Sequence, residues 1–150
     1  MITYPMSLED ETRWFDHMLQ EPLEMHPMVI ETKEGKNWVS IGSCGYHDID
    51  WRNANAEIGI LIGEKKYWDK GLGGEVLLLM LKVGFDVLNL HRIWLRVHED
   101  NLRAIKCYQK VGFVIEGHKR QAQFKNGNYI DIVVMSVLRP EWKNDYHPGV

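Results

Sequence analysis

The sequence predicts one α+β (α/β) domain, and three observations carry that prediction. Along the 150 residues the hydrophobic pattern alternates between period-two runs and helical runs. Glycines in Tyr67-Trp68-Asp69-Lys70-Gly71-Leu72-Gly73-Gly74-Glu75 turn a β-like run, Glu57 to Ile62, straight into an apolar helix-like run, Val76 to Leu88. Near the C-terminus Asn126-Gly127, the strongest short hairpin signal, joins two further extended runs. The length suits one core, and 45% hydrophobic with 26% charged residues is the composition of a soluble globule.

The elements follow in order. Ser7-Leu8-Glu9-Asp10 reads as a capping box, and Leu8, Phe15 and Leu19 then fall at helical spacing, which predicts a helix from Leu8 to Gln20. Pro22 and Pro27 bound a connector. Met28 to Thr32 is a strand, Glu34-Gly35-Lys36-Asn37 a turn, and Trp38 to His47 the hairpin partner. After a polar turn from Asp50 to Asn55, Ala56 to Ile62 forms a third strand, followed by the glycine loop and a helix apolar on every side, expected to be buried. Arg92 to His98 alternates as a fourth strand. Glu99-Asp100-Asn101 caps a short helix, Leu102 to Val111, which Gly112 ends. Phe113 to Phe124 and Tyr129 to Leu138 make the closing hairpin, and the tail after Arg139 is expected to fray.

Composition narrows the function. A net charge of -3 with interspersed signs offers no basic stripe for a nucleic-acid backbone. Met1-Ile2-Thr3-Tyr4-Pro5 has no charged and then apolar leader pattern, and Val76 to Leu81 is too short to cross a bilayer, so no membrane role is expected and a cytoplasmic location is. Cys44 and Cys107 lie far apart without zinc or redox spacing and are expected to be reduced, buried thiols. His47, His91, His98 and His118 show no metal-ligand spacing, so no metal is expected. Gly42-Ser43-Cys44-Gly45 lacks the order of a nucleophile elbow. Trp38, Trp51, Trp68 and Trp94 are expected to pack rather than to stack on bases.

The glycine loop holds the chemistry. A strand that turns through glycines into a helix leaves the first backbone N–H groups of that helix unpaired, at the end where the helix dipole favours negative charge. That geometry makes a phosphate cradle. A Rossmann fingerprint would need a third glycine at Val76, and a Walker loop would need Lys-Ser or Lys-Thr where Glu75-Val76 stands. Taken alone, Gly71, Gly73 and Gly74 fit a tight turn needing positive φ as well as they fit a cradle.

The surrounding motifs decide between those readings. Ala56-Glu57-Ile58-Gly59, Tyr67-Trp68-Asp69-Lys70-Gly71-Leu72-Gly73, Asn101-Leu102-Arg103-Ala104-Ile105-Lys106-Cys107-Tyr108 and Val111-Gly112-Phe113 together resemble the GNAT superfamily of acetyl-CoA-dependent N-acetyltransferases. The resemblance covers Trp38 to Trp142 and is strongest to the branch of ribosomal-protein N-terminal and polyamine acetyltransferases. It implies a mixed central sheet splayed at the cofactor site, with helices on both faces and with the family's N-terminal strand and helix missing. It implies acetyl-CoA as co-substrate and a pyrophosphate cradle formed by Asp69, Lys70, Gly71, Leu72, Gly73 and Gly74. Leu61 and Ile62 would pair with the pantetheine arm by β-augmentation. One of those amides could stabilise the oxyanion, a contact worth about 2.7–4 kcal/mol elsewhere. Asn101 and Ala104 match cofactor-contacting positions, and Tyr108 matches the general acid that protonates the departing thiolate. Arg103 and Lys106 read as the solvated face of a short helix, with phosphate contact as the second reading.

Two departures from the family pattern matter. The first loop position is Trp68 instead of Gln or Arg. The strand position that supplies a glutamate base in some members is Arg96, which cannot accept a proton. His98 on the same strand face, Glu57 and a water chain are the replacement bases to consider. Neutralising a lysine amine near pH ~7.4 costs roughly 4 kcal/mol, against well under ~1 for an α-amine, so a chain without a dedicated carboxylate base favours a protein N-terminus or another low-pKa amine as acceptor. In this branch a strand and a helix precede the segment resembling Pro5 to Leu19, so the acceptor cleft is expected to be wide or to be completed by a second subunit in a homodimer. A coenzyme A-binding sensor or partner-docking module without turnover is the alternative function, and a nucleoside-phosphate enzyme a distant third.

Overall fold

The computed structural model describes residues 7–143. Helix α1 (Leu8–Met18) begins at the expected capping box: the Ser7 hydroxyl accepts from the Asp10 N–H at 3.1 Å and the Asp10 carboxylate accepts from the Ser7 N–H at 3.3 Å. A 3₁₀ turn (Leu23–Met25) leads into β1 (Met28–Glu34), β2 (Asn37–Asp50) and β3 (Asn55–Ile62). A second 3₁₀ turn (Lys65–Tyr67) precedes α2 (Leu72–Lys82), whose last turn widens to π geometry over Val83–Val87. Strand β4 (Arg92–His98), helix α3 (Leu102–Val111) and the hairpin β5 (Val114–Lys125) and β6 (Asn128–Leu138) complete the order. Asn126 and Gly127 both have positive φ, 51° and 83°, the backbone that a tight two-residue hairpin turn needs.

The six strands form one sheet in the order β1-β2-β3-β4-β6-β5. Every neighbouring pair is antiparallel except β3 and β4, the two strands that the α2 crossover joins. The parallel pair is short: Asn55, Ala56 and Glu57 oppose Arg92, Ile93 and Trp94, and no ladder partner follows on either strand. From residue 58 onward β3 and β4 diverge, and the sheet opens like a V.

Side-chain alternation divides the sheet into two faces. Ala56 and Ile58 of β3, Ile93, Leu95 and Val97 of β4, and Val133, Met135 and Val137 of β6 form a core with Leu77, Met80, Leu81 and Phe85 of the α2 segment. Helix α3 lies on the same face through Ile105, Tyr108 and Val111. Tyr46 is buried there and donates its hydroxyl proton to the Met80 carbonyl oxygen, satisfying both groups. On the opposite face the connector between the first turn and β1 crosses the sheet at Gly45, where a Cβ would stand 3.5 Å from Pro27 Cα.

Three expectations need correction. The helix after the glycine loop starts at Leu72 instead of Val76, because Gly71 takes φ 81° and its carbonyl receives the Glu75 N–H at 3.1 Å, closing the first turn inside the loop. The helix is also not buried on all sides: it packs on the sheet by one face only, leaving Leu79, Val83 and Val87 exposed. Trp38 and Trp51 are exposed at hairpin positions and do not pack, while Trp68 and Trp94 are partly buried. Helix α1 buries none of its residues. Both thiols are free and half-buried, and burial raises the proton affinity of each. Arg139–Glu141 forms a 3₁₀ turn and Trp142 packs on Phe85 at 6.0 Å between ring centroids. The rest of the expected fraying tail and the Met1 to Pro5 start lie outside the described residues. Among the described residues no helix is long and apolar enough to cross a membrane.

Gly42 shows how tightly the open part of the V is backed. It pairs with Ile62, and a Cβ at Gly42 would sit 1.9 Å from the Leu61 carbonyl oxygen, a backbone atom that no rotamer change can move. Gly42→Ala is therefore expected to lose about 2 kcal/mol of stability. Chemical denaturation of the two proteins measures the difference directly, and a midpoint unchanged from wild type would show that β2 and β3 can separate without cost.

Candidate active site

The cradle is built by backbone conformation. Asp69 and Gly71 both take left-handed backbone, φ 59° and 81°, and a Cβ at Gly71 would meet nothing within 4 Å, so glycine is required there by φ and not by crowding. The N–H groups of Leu72, Gly73 and Gly74 occupy the first turn of α2, where helix geometry gives them no carbonyl partner. Several contacts hold the loop in place. Tyr67 is buried and donates to the Glu34 carboxylate at 2.7 Å, with Lys66 3.6 Å from the same carboxylate. The Tyr67 hydroxyl, and next the Lys66 charge, keep the Glu34 carboxyl below the ordinary carboxylate range. The Trp68 indole N–H donates to the Ile62 carbonyl at 3.0 Å, tying the loop to the end of β3.

An elongated thioester with a diphosphate fits these features. Unpaired amides at the positive end of a helix, an open backbone at Gly71 and the Lys70 ammonium suit the diphosphate. The diverging half of β3, residues 58–62, suits an extended amide-bearing arm, since its β4 side has no strand partner. Leu61 is 65% exposed on this segment, while Ile62 packs toward Ile30, Ile41 and Tyr67. A pocket of about 220 Å³ between β1, β2 and α2 includes Leu72 but neither the open part of β3 nor Tyr108.

Helix α3 carries Tyr108. Asn101 caps it, its side-chain oxygen accepting from the Ala104 N–H at 3.2 Å, and Ala104 packs on the core. Tyr108 stands two turns along the helix, tilted against Phe113 at 5.9 Å between centroids. Burial, with a smaller contribution from Cys107, pushes its phenol up to about 12, so the group is protonated throughout the physiological range. Among the described residues its hydroxyl has no hydrogen-bond partner, which leaves the proton available to a ligand.

Strand β4 supplies the rest. Arg96 is bound side-on by Glu57, Nε to Oε1 at 2.6 Å and one terminal nitrogen to Oε2 at 2.8 Å. Glu57 is only 6% exposed, whereas the Arg96 side chain is half exposed. Hydrogen bonding to Glu57 raises the proton affinity of Arg96, against a smaller desolvation penalty. His98, on the same face, meets the Gln123 side-chain oxygen through Nε2 at 2.8 Å, which leaves Nδ1 with a free lone pair when Nε2 carries the proton. Among the described residues no group of His, Cys, Asp and Glu could hold a metal ion.

Residues 69–74 are tied to the end of β3, which holds Leu61 and Ile62, through Trp68 and Ile62, and to the start of α3, which holds Asn101, Ala104 and Tyr108, through Trp68 and Arg103, while Glu57 and His98 lie on the sheet face opposite α2 and α3. Sequence reasoning missed two contacts. One is the Glu57–Arg96 pair, which strand parity could have revealed, since Glu57 opposes Trp94 and so lies diagonal to Arg96 on one face. The other is the Arg103 guanidinium 3.6 Å from the centre of the Trp68 ring, for which no sequence signal existed beyond the proximity of the two motifs.

Comparison with known proteins agrees with the expected family and fold. The acetyltransferase (GNAT) domain family matches residues 1–114. The uncharacterized N-acetyltransferase p20 of Bacillus licheniformis is 36% identical over 102 residues, covering 68% of this chain and 57% of that protein. The spermidine N(1)-acetyltransferase of Vibrio cholerae is 34% identical over 104 residues, covering 69% of this chain and 60% of that one. The chain therefore spans somewhat more than half the length of these two relatives. A crystal structure of the Vibrio cholerae spermidine N-acetyltransferase with CoA and spermine superposes with a TM-score of 0.82 at 28% identity, over 94% of this chain and 80% of that chain.

Proposed function

Because the chain belongs to the GNAT acetyltransferase family, we propose that it moves the acetyl group of acetyl-CoA to a primary amine by direct attack. The observation that carries this reading is the V between β3 and β4, with the glycine cradle and the protonated Tyr108 beside it. Acetyl-CoA supplies an activated acyl group as a thioester. The N–H groups of Leu72, Gly73 and Gly74, with Asp69, Lys70 and Gly71 shaping the turn, grip its diphosphate. The Ile62 N–H, on the side of β3 away from β2, aligns the arm and presents an amide to the carbonyl oxygen as negative charge develops there, while Leu61 turns its own backbone groups to β2. Tyr108 gives its proton to the sulfur as the carbon–sulfur bond breaks.

The acceptor is a small-molecule amine or a peptide α-amine, and its proton leaves toward the opposite sheet face. Both oxygens of Glu57 are engaged by Arg96, so protonating Glu57 would cost that ion pair; we assign Glu57 to holding Arg96. His98, with Nδ1 free, or water relayed through it, takes the amine proton. A histidine is a weaker base than the task of deprotonating a lysine or polyamine amine demands, so an acceptor of low pKa is favoured. This reading differs from the substrate named for the spermidine relatives, and one experiment separates them. Thiol release from acetyl-CoA is measured with an alanyl peptide, an amino-acid amide, lysine side-chain peptides and spermidine. Faster turnover of the α-amines is expected. Faster turnover of spermidine would assign the chain to the polyamine acceptors, and tight binding of coenzyme A without transfer to any amine would favour the sensor.

A further inference from the structure

We propose that Arg103, seated on the Trp68 indole, binds the diphosphate of coenzyme A. The proposal rests on the reading that the glycine loop is the coenzyme A cradle, and goes beyond it by adding a side chain to a site otherwise made of amides.

The geometry runs along one stripe of α3. Val111, Cys107 and Arg103 succeed one another at intervals of four residues and so share a helix face. That face lies along the start of α2. A Cβ at Gly74 would be 3.9 Å from the Val111 side chain, and one at Gly73 would be 3.8 Å from Cys107 Sγ. Arg103 is the next step of the same stripe, one turn beyond Cys107, and it meets Trp68 just before the loop. The stripe therefore runs off the N-terminal end of α2, and Arg103 overhangs the end at which the free N–H groups point.

Chemistry favours an anion there. A free arginine side chain loses rotamer entropy when a ligand fixes it, but stacking on Trp68 removes much of that cost in advance. Stacking uses the flat face of the guanidinium and leaves its edge donors pointing outward in the plane, the arrangement that grips phosphate oxygens in pairs. Among the described residues Arg103 takes part in no salt bridge. Trp68 is in turn fixed by its hydrogen bond to Ile62, so the same indole connects the arm-binding strand to the phosphate-binding cation. Lys65, 6.0 Å from the Trp68 ring centre on its own loop, adds to the positive field without sharing the stack.

The test is calorimetric binding of coenzyme A and of 3′-dephospho-coenzyme A to wild type, Arg103→Gln, Arg103→Lys and Trp68→Leu, each across a range of salt concentration. Arg103→Gln is expected to weaken both ligands about tenfold and to reduce the dependence of log Kd on log salt. Arg103→Lys, which keeps the charge without the planar fork, should retain the salt dependence and lose only part of the affinity. Trp68→Leu should weaken binding in the same direction by unseating Arg103. Loss for coenzyme A but not for its dephospho form would move Arg103 to the 3′-phosphate and overturn the assignment, and an unchanged salt dependence in Arg103→Gln would reduce the stack to packing. Wild type that binds neither ligand would instead refute the cradle itself.

Discussion

Tyr108→Phe is expected to lower kcat by about 100-fold or more while leaving acetyl-CoA affinity within about twofold of wild type. Positioned general acids contribute roughly 10²–10⁴-fold. The substitution removes one oxygen from a half-buried ring that packs tilted against Phe113, so neither the helix nor the cradle should move. Steady-state turnover together with coenzyme A binding checks both halves. An unchanged kcat would remove Tyr108 from the chemistry, and a joint loss of turnover and affinity would make it a structural residue. Burial that pushes this phenol up to about 12 fixes the pH dependence as well. Activity should rise with pH as the acceptor amine loses its proton, with no falling limb from the acid until the solution is strongly alkaline. The same shift acts on stability. The neutral phenol is favoured in the folded state, so its contribution is complete below the ordinary tyrosine pKa of about 10 and is lost as pH climbs from there through about 12.

Arg96→Ala is expected to destabilise the fold by about 3 kcal/mol. The change leaves Glu57, 6% exposed, with two acceptor oxygens and a charge but no partner. Removing one member of a buried pair costs roughly 3–5 kcal/mol, and the lower end applies because the half-exposed Arg96 site admits water. For a domain of this size each kcal/mol moves Tm by roughly 2–4 °C, so a fall of about 6–12 °C should be seen in thermal unfolding. The double change Glu57→Gln with Arg96→Gln removes the stranded charge and should recover most of the loss. A Tm for Arg96→Ala within a degree of wild type would show that Glu57 needs no partner. Glu57→Gln alone adds a functional check: stable protein with turnover reduced more than tenfold would return Glu57 to the role of base.

The sequence made the ends of elements legible wherever a backbone rule operates locally. Ser7 and Asp10, Gly112 and Asn126-Gly127 mark their cap and turns because each residue type is selected by its own φ or hydrogen bond. Strand β4 and helix α3 have the expected bounds for the same reason, being framed by capping residues. The start of α2 was misplaced because glycines that look like loop from composition, Gly73 and Gly74, lie in the first helical turn once Gly71 makes the left-handed bend. The exposed side of α2 was equally invisible: an all-apolar pattern records what a helix could bury, and only the tertiary arrangement decides which face is covered. Within the site, the left-handed turn at Gly71 and the Asn101 cap of the helix that carries Tyr108 could be read from motifs. The Glu57–Arg96 pair was legible only through strand parity, and the Trp68–Arg103 stack had no signal, because it depends on side chains from separate segments meeting across helix register.

Amide hydrogen exchange with and without coenzyme A, followed residue by residue, tests most directly the claim that the V between β3 and β4 and the turn at Gly71 form one continuous binding surface. Slowed exchange at Ile60 and Ile62, whose amides face away from β2, together with Leu72, Gly73 and Gly74 is the predicted result. Binding that leaves those amides unprotected, or protects a different region alone, would contradict it.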